Sequence, residues 1–337
     1  CSLLLIILLF LFSPLLLELL GAEGELHPLA VTYVRYILLG GVIQVFATGM
    51  IPVMRNHDAS FYAMCAMASG CLANIFLDYY FVIALRWGLA GAALATVFGQ
   101  ALTLIFSIAF FMKKENRVAF SDMRPDKSVI SPILQVAVSP FGLTYLPSVT
   151  IIFMNLQSMN YGGEEAVSAY AVLAYIISFM ELLVQGIGDG SQPLLSLSRG
   201  KGDEKSLKTY ARWTFLLGIG VGVLGAVLFV LSGNLLPEFY GTSPEAGAYI
   251  IKATPAFALV TALYGLTKPA VSYFYATRRT TRSNILVYGE ILLTLILIVI
   301  LPLFLGLDGV WYTIPAVQVI LGVLCVVFLK MPDKRQD

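Results

Sequence analysis

Ten long apolar segments dominate the sequence, and each one is long enough to cross a lipid bilayer as a helix. The hydrocarbon core of a bilayer requires about 20 predominantly apolar helical residues. The segments that meet this requirement are residues 2–20, 29–54, 61–85, 89–112, 133–156, 166–197, 213–231, 246–276, 285–305 and 310–329. None shows the alternation of polar and apolar residues that is typical of a membrane β-barrel strand. The sequence therefore predicts an all-α integral membrane protein, a polytopic helical bundle.

Composition supports this fold class and excludes several others. Of the 337 residues, 58% are hydrophobic and only 12% are charged, whereas a soluble domain carries about 25% charged residues. The net charge of +1 gives no electrostatic basis for nucleic-acid binding. Four cysteines lie within apolar segments and form neither a disulfide framework nor a metal cluster. We therefore expect no nucleic-acid partner, no metal held by the cysteines and no cofactor.

Charged residues alternate in sign from one loop to the next. Basic residues mark the loops at Arg55, 113–127, 199–212 and 278–282, and the tail after residue 329. Acidic residues mark the loops at 21–28, 164–165, 238–245 and Asp308. Arg86, in the short loop between the third and fourth segments, is the one base that breaks this alternation. Because cytoplasmic loops are enriched in Lys and Arg, the first helix should begin in the cytoplasm and the C-terminus should end there. We expect a multi-pass protein of a bacterial inner membrane.

The two halves of the chain resemble each other. Gly-Leu-x-Gly occurs at residues 88–91 and 306–309, and Gln100 and Gln318 follow at the same offset. Such similarity indicates duplication, and an even number of helices per half predicts parallel lobes. We expect an N-terminal lobe (1–112, four helices), a cytoplasmic linker (113–131), a C-terminal lobe (132–330, six helices) and a cytoplasmic tail (331–337). With six helices in each lobe, two helices and the natural N-terminus would precede Cys1.

Motifs in both halves resemble those of the multidrug and toxic compound extrusion (MATE) family. Asn74 and Asp78 precede Gly-Leu-Ala-Gly-Ala-Ala-Leu-Ala-Thr at residues 88–96, and residues 186–194 read Gly-Ile-Gly-Asp-Gly-Ser-Gln-Pro-Leu. Asn155, followed by Tyr-Gly-Gly at 161–163, is similar to the bacterial drug-efflux branch. The resemblance implies a V-shaped carrier that exports bulky, often cationic compounds in exchange for Na⁺ or H⁺. It also implies a partner Asp in the first helix of the complete first lobe.

Asp78 and Asn74 form the first candidate site. They lie one helical turn apart and share a face, and an ionisable group inside a membrane helix is usually functional. Their oxygens suit Na⁺, while a carboxylate could instead carry a proton. Thr96 on the next helix can add a hydroxyl. The structural alternative is a helix–helix hydrogen bond, and the resemblance favours cation or proton binding.

A polar stripe on the sixth segment forms part of the second candidate site. Its members recur at helical spacing, so the stripe cannot face lipid. Lys268 and Glu290 also lie deep within apolar segments, and we favour a structural ion pair of Lys268 with Asp189 or Glu290. The candidate substrate-binding residues are Glu181, Gln185, Asp189, Asn155, Lys268 and Glu290.

The sign of the intramembrane charges separates the possible functions. They are mostly acidic, which favours a cationic cargo over the pyrophosphate of a lipid-linked precursor. A precursor flippase of the same superfamily is the alternative. We find no Gly-x-Ser-x-Gly motif and no histidine within a helix core, so we expect no enzyme activity. The sequence predicts a monomeric antiporter for small drug-like molecules that works by rocking alternating access.

Overall fold

The computed structural model describes residues 2–19, 24, 26–113 and 127–331. Described residues form helices and short turns without a β-strand, so the all-α fold class is confirmed. The chain divides into two compact units, Cys1–Arg124 and Pro125–Asp337. This division falls within the predicted linker 113–131, most of which lies outside the described residues. The acidic residues of loop one and the tail 332–337 lie outside them as well.

The described part of the first unit contains five α-helices and one π-helix. They are α1 (Ser2–Leu19), α2 (Leu26–Leu39), α3 (Gly41–Asn56), α4 (Ser60–Asp78), the π-helix Tyr79–Ala84 and α5 (Gly88–Met112). The single helix expected over residues 29–54 is bent by 54° between α2 and α3. Gly40 lies at the bend, where an added Cβ would come within 2.3 Å of the Val97 side chain. The close approach of α5 therefore requires glycine at this position.

Between residues 127 and 331 the second unit contains six helices, of which α9 is central. They are α6 (Lys127–Gly200), α7 (Glu204–Ser232), α8 (Leu236–Tyr240), α9 (Pro244–Ala276), α10 (Thr280–Leu305) and α11 (Leu307–Lys330). Of the 33 residues of α9, 20 are buried, because the helix packs against α6, α7, α8, α10 and α11. Asp203 caps α7 by accepting a hydrogen bond from the Ser206 backbone N–H. Its hydrogen bonds with Ser206 hold the pKa of Asp203 below its ordinary value.

The number of membrane-crossing helices roughly matches the ten that we predict. Among the described residues, seven helices are long and apolar enough to cross a membrane, and up to eight if the bent pair counts as one span. One of them, Ile130–Gly200, has 71 residues, far more than the roughly 20 that one crossing needs. Gly163 interrupts it with φ 65° and ψ −161°, between the two predicted segments 133–156 and 166–197.

Glycines bring α7 and α9 into near backbone contact. A Cβ added to Gly218 would lie 2.6 Å from the Gly265 carbonyl oxygen, and one added to Gly265 would lie 2.5 Å from the Gly218 carbonyl oxygen. Small residues at such contacts let membrane helices pack closely. Gly220, on the same helix as Gly218, has no atom within 4 Å of an added Cβ.

Replacing Gly218 by alanine is expected to destabilise the protein by about 1–3 kcal/mol, the usual effect of overpacking. The new methyl group would collide with backbone, which cannot move aside without shifting α9. Gly220→Ala is the matched control, because its methyl group meets open space. Thermal unfolding of the detergent-purified variants measures the difference. Equal melting temperatures for the two variants would contradict the close α7–α9 contact.

Candidate functional site

The packing of α4 against α5 positions the predicted ion-binding residues of the first unit. Gly70 approaches Thr103 and Gly99, and a Cβ on Gly99 would lie 3.0 Å from the Asn74 Cβ. These contacts define an antiparallel register that places Asp78 at the level of Thr96. Asp78 ends α4, immediately before the π-helix Tyr79–Ala84. Single turns of π-helix are often associated with functional sites.

The helix–helix hydrogen bond considered for Asn74 and Asp78 is absent from the described structure. The Asn74 side-chain Nδ2 is buried without a hydrogen-bond partner there. Thr96 donates to the Ala92 carbonyl oxygen of its own helix at 3.1 Å. Asp78 is half-buried, and no hydrogen bond or ion pair joins it to another described residue. The Asp78 carboxylate and the side-chain oxygen of Asn74 are therefore not engaged by other described residues.

Three helices of the second unit meet at a charged triad, Glu181 on α6, Lys268 on α9 and Glu290 on α10. The Lys268 Nζ lies 2.7 Å from Glu181 Oε1 and 3.2 Å from Glu290 Oε2. The Lys268 side chain is 3% exposed, compared with 17% for Glu181 and 25% for Glu290. One buried ammonium thus neutralises one of two carboxylates, and the triad carries a net charge of −1 when all three groups are ionised.

Neighbouring polar groups fix the triad on one side. The Gln318 Nε2 donates to Glu290 Oε1 at 2.8 Å, and its Oε1 accepts from the Thr267 hydroxyl at 3.2 Å. The Lys268 Nζ also lies 4.7 Å from the centroid of the Tyr264 ring, within the range of a cation–π interaction. Glu290 therefore has two partners, whereas Lys268 is the only hydrogen-bond or ion-pair partner of Glu181 among the described residues.

The triad lines a pocket with mostly apolar walls. The apolar walls come from α6, α10 and α11, and include Leu143, Leu146, Ile177, Ile291 and Ile314. The volume of the pocket is about 40 Å³. This is room for a few waters. The arrangement combines an apolar enclosure with two carboxylates, as a site for an apolar cation requires.

The structure pairs Lys268 with one of the two partners considered for it. Lys268 pairs with Glu290, as one alternative held, and also with Glu181, which we did not predict as its partner. Asp189 is not its partner, since Asp189 accepts from Gln185 Nε2 at 3.0 Å and from the Tyr275 hydroxyl at 3.3 Å. Tyr275 lies seven residues beyond Lys268, about 10 Å along α9 at 1.5 Å per residue. Asp189 on α6 therefore lies beside the C-terminal end of α9, further along that helix than Lys268.

The structure does not bring every predicted residue to the triad. Gln185 and Asp189 form their own hydrogen-bonded pair further along α6. Asn155 is half-buried on the part of α6 before Gly163 and is not among the residues that line the pocket. Gln318, which the internal repeat marks in the sequence, contacts Glu290, and its repeat position was the one sequence signal for this contact. Among the described residues, no group of three His, Cys, Asp or Glu side chains could hold a metal ion.

Curated relatives of the chain are named multidrug export proteins. The multidrug export protein MepA of Staphylococcus aureus strain N315 is 25% identical over 257 residues, which cover 74% of this chain and 56% of the relative. MepA of Staphylococcus saprophyticus is 26% identical over 181 residues, 53% of this chain and 40% of the relative. The chain spans about half the length of the curated relatives it matches.

Solved structures share the fold. An outward-facing multidrug resistance MATE transporter matches with a TM-score of 0.84 and 21% identity, over 97% of this chain and 76% of that one. A transporter of the MOP superfamily from Pyrococcus furiosus matches with a TM-score of 0.87 and 21% identity, over 97% of this chain and 75% of that one. The family model described as MatE matches residues 1–80 and 141–305. Since these residues make up most of the sequence, the chain belongs to the MatE family, as its motifs indicate.

Proposed function

We propose that the complete protein is a secondary active antiporter that exports bulky organic cations in exchange for Na⁺ or H⁺. The observation that carries this proposal is the acidic, apolar-walled pocket of the second unit, where Glu181 and Glu290 share one lysine. The names of the relatives support export of several drugs. We place the protein in the bacterial inner membrane as a monomer with a cytoplasmic C-terminus, as the basic loop at Arg278, Arg279 and Arg282 supports.

The chemistry of the pocket supports a cationic and partly apolar cargo. Charges inside a membrane protein face the bundle interior or a water-filled cavity, because lipid does not solvate them. A carboxylate attracts a cation most strongly where water is scarce, and the apolar walls bind the hydrophobic parts of the cargo. Tyr170 and Tyr264 also line this pocket, and aromatic faces attract organic cations.

Ion coupling is assigned to the first unit. A site for the coupling ion is supported by the half-buried carboxylate of Asp78, by the side-chain oxygen of Asn74 one turn before it, and by the Thr96 hydroxyl at the level of Asp78 on the next helix. A carboxylate with amide and hydroxyl oxygens suits Na⁺, and the same carboxylate can carry a proton. Asp189 and Gln185 extend the polar stripe of α6 and are proposed to line the cargo route. Alternating access would then expose the cargo pocket to each side of the membrane in turn.

A lipid-linked precursor flippase is not favoured. Such a protein must hold a pyrophosphate, for which basic side chains are needed. Lys268 is the only basic residue among those lining the pocket, and two carboxylates already surround it. The net negative charge of the pocket would repel a pyrophosphate.

Expression of the full-length gene in pump-deficient bacteria is expected to lower their accumulation of ethidium at least several-fold. The acidic pocket should select cationic over anionic dyes of similar size. Fluorescence of dye-loaded cells measures accumulation, and membrane fractions verify that the protein is present. Unchanged accumulation across a panel of cationic dyes would count against organic-cation export.

Asp78→Asn is expected to abolish ion-driven efflux while leaving insertion and stability nearly intact. The change preserves side-chain size but removes the titratable charge, and no described hydrogen bond is lost. Asp58→Asn is the control, because Asp58 is exposed in a turn at φ 57° that asparagine also tolerates. Dye efflux from proteoliposomes under an imposed Na⁺ or pH gradient measures coupling. Wild-type gradient-driven efflux by Asp78→Asn would exclude the coupling role.

Glu181→Gln is expected to weaken organic-cation binding at least tenfold, since it removes the carboxylate that has no partner besides Lys268 in the described structure. Glu238→Gln is the matched control, because Glu238 is exposed on α8 outside the pocket. Fluorescence titration of the purified variants with ethidium measures the affinity. Similar affinities for the two variants would leave Glu181 with a structural role only.

A further inference from the structure

Lys268 occupies the position between two carboxylates that a cargo cation would need. Its ammonium group contacts both Glu181 and Glu290 and lies 4.7 Å from the Tyr264 ring centroid. Carboxylates and an aromatic face are the groups that bind an organic ammonium ion. These groups together form a cation site, and the ammonium group of Lys268 occupies it.

The two carboxylates are more accessible from the pocket than the ammonium between them. The Lys268 side chain is 3% exposed, whereas Glu181 is 17% and Glu290 is 25% exposed. All three residues line the same pocket. A cation arriving in the pocket would therefore reach a carboxylate before it meets the lysine.

The two carboxylates differ in how firmly they are held. Glu290 accepts from both Lys268 and Gln318, while Glu181 has Lys268 alone as a hydrogen-bond or ion-pair partner among the described residues. Glu181 can consequently exchange its partner without breaking any other hydrogen bond or ion pair. Lys268 would keep Glu290 and Tyr264 after such an exchange, so no buried charge would lose every partner.

The small free volume couples cargo entry to movement of the lysine. The pocket volume of about 40 Å³ holds a few waters and no bulky cation. A cargo that reaches Glu181 must therefore displace neighbouring side chains, and Lys268 is the one bound to that carboxylate.

We propose that Lys268 is a tethered cation that competes with the cargo for Glu181 and so sets the affinity and selectivity of the pocket. This inference rests on the proposed function, since it requires the pocket to bind organic cations. A tethered group acts at an effective concentration of about millimolar or more. Only a cargo that also binds the apolar walls displaces it, and small hydrated ions such as Na⁺ do not.

The test is ethidium binding by the purified full-length protein carrying Lys268→Met. Methionine preserves the approximate side-chain length and removes the competing charge, so the dissociation constant for ethidium is expected to fall at least tenfold. Lys268→Arg retains a competing cation and is expected to bind as weakly as the wild type. Lys252→Met is the matched control, because Lys252 lies on the same helix, is largely exposed and pairs with Asp308 at 2.6 Å. It should leave binding unchanged.

A second variant keeps the proposal testable when Lys268→Met does not fold, because Lys268→Met leaves two carboxylates without their cation. The double variant Lys268→Met/Glu290→Gln restores the net charge of −1 and leaves Glu181 unpaired, so it is expected to bind ethidium several-fold more tightly than the wild type. The tethered-cation role is overturned if the wild type binds ethidium and both variants bind it no more tightly than the wild type does. Failure of both variants to fold would also overturn it, by assigning Lys268 to the structure.

The proposed function fails in a different way. Loss of all ethidium binding, in the wild type and in every variant, would refute the tethered cation and remove the support that the pocket gives to organic-cation export. Dye accumulation in cells then decides export itself, because that assay does not depend on Lys268. A wild type that exports dye while Lys268→Met and the double variant both gain no affinity leaves the function standing and the tethered cation refuted.

Discussion

The buried ion pairs of Lys268 constrain the second unit more than any other interaction described. A lone charge at the centre of a membrane helix is unfavourable by about 2.5–3.5 kcal/mol on insertion scales, and removing one partner of a buried pair costs about 3–5 kcal/mol. Lys268 on α9 therefore requires Glu181 on α6 and Glu290 on α10 to lie beside it, and Gln318 brings in α11. Four helices are held in register by one network, so movement of any of them alters a charge contact.

Glycines permit the short distances that this network needs. A Cβ on Gly188 would lie 2.3 Å from the Ser272 hydroxyl oxygen, where α6 meets α9. A Cβ on Gly142 would lie 2.5 Å from the Val287 side chain, where α6 meets α10. Gly218 and Gly265 serve the same purpose between α7 and α9. With larger residues at these positions, the helices would separate and the ammonium could not reach both carboxylates.

The sequence predicts the helical segments well because the bilayer sets their length, and it places the halves of α6 on either side of Gly163. Depth within a helix is harder to predict. Lys268 and Asp189 are equally far from the ends of their predicted helices, yet Asp189 lies near Tyr275, about two turns from Lys268. When helices tilt or end at different levels, the number of residues from the helix end does not give the relative depth of two side chains. The bend at Gly40 was missed because it depends on Val97, a residue distant in sequence.

The two candidate sites differ in what neutralises their acids. Asp78 has no cation beside it in the described structure, and Asn74 has an amide left without a partner. Glu181 and Glu290 share a cation that the chain itself provides. Under the proposals made above, a small coupling ion meets an unoccupied carboxylate in the first unit and a tethered competitor in the second. An organic cation gains more in the second unit, where apolar walls and Tyr264 add to the attraction of Glu181. One fold can then keep its two cations apart through a single lysine, because the one acid of the first site and the triad of the second site both carry a net charge of −1 when all their groups are ionised.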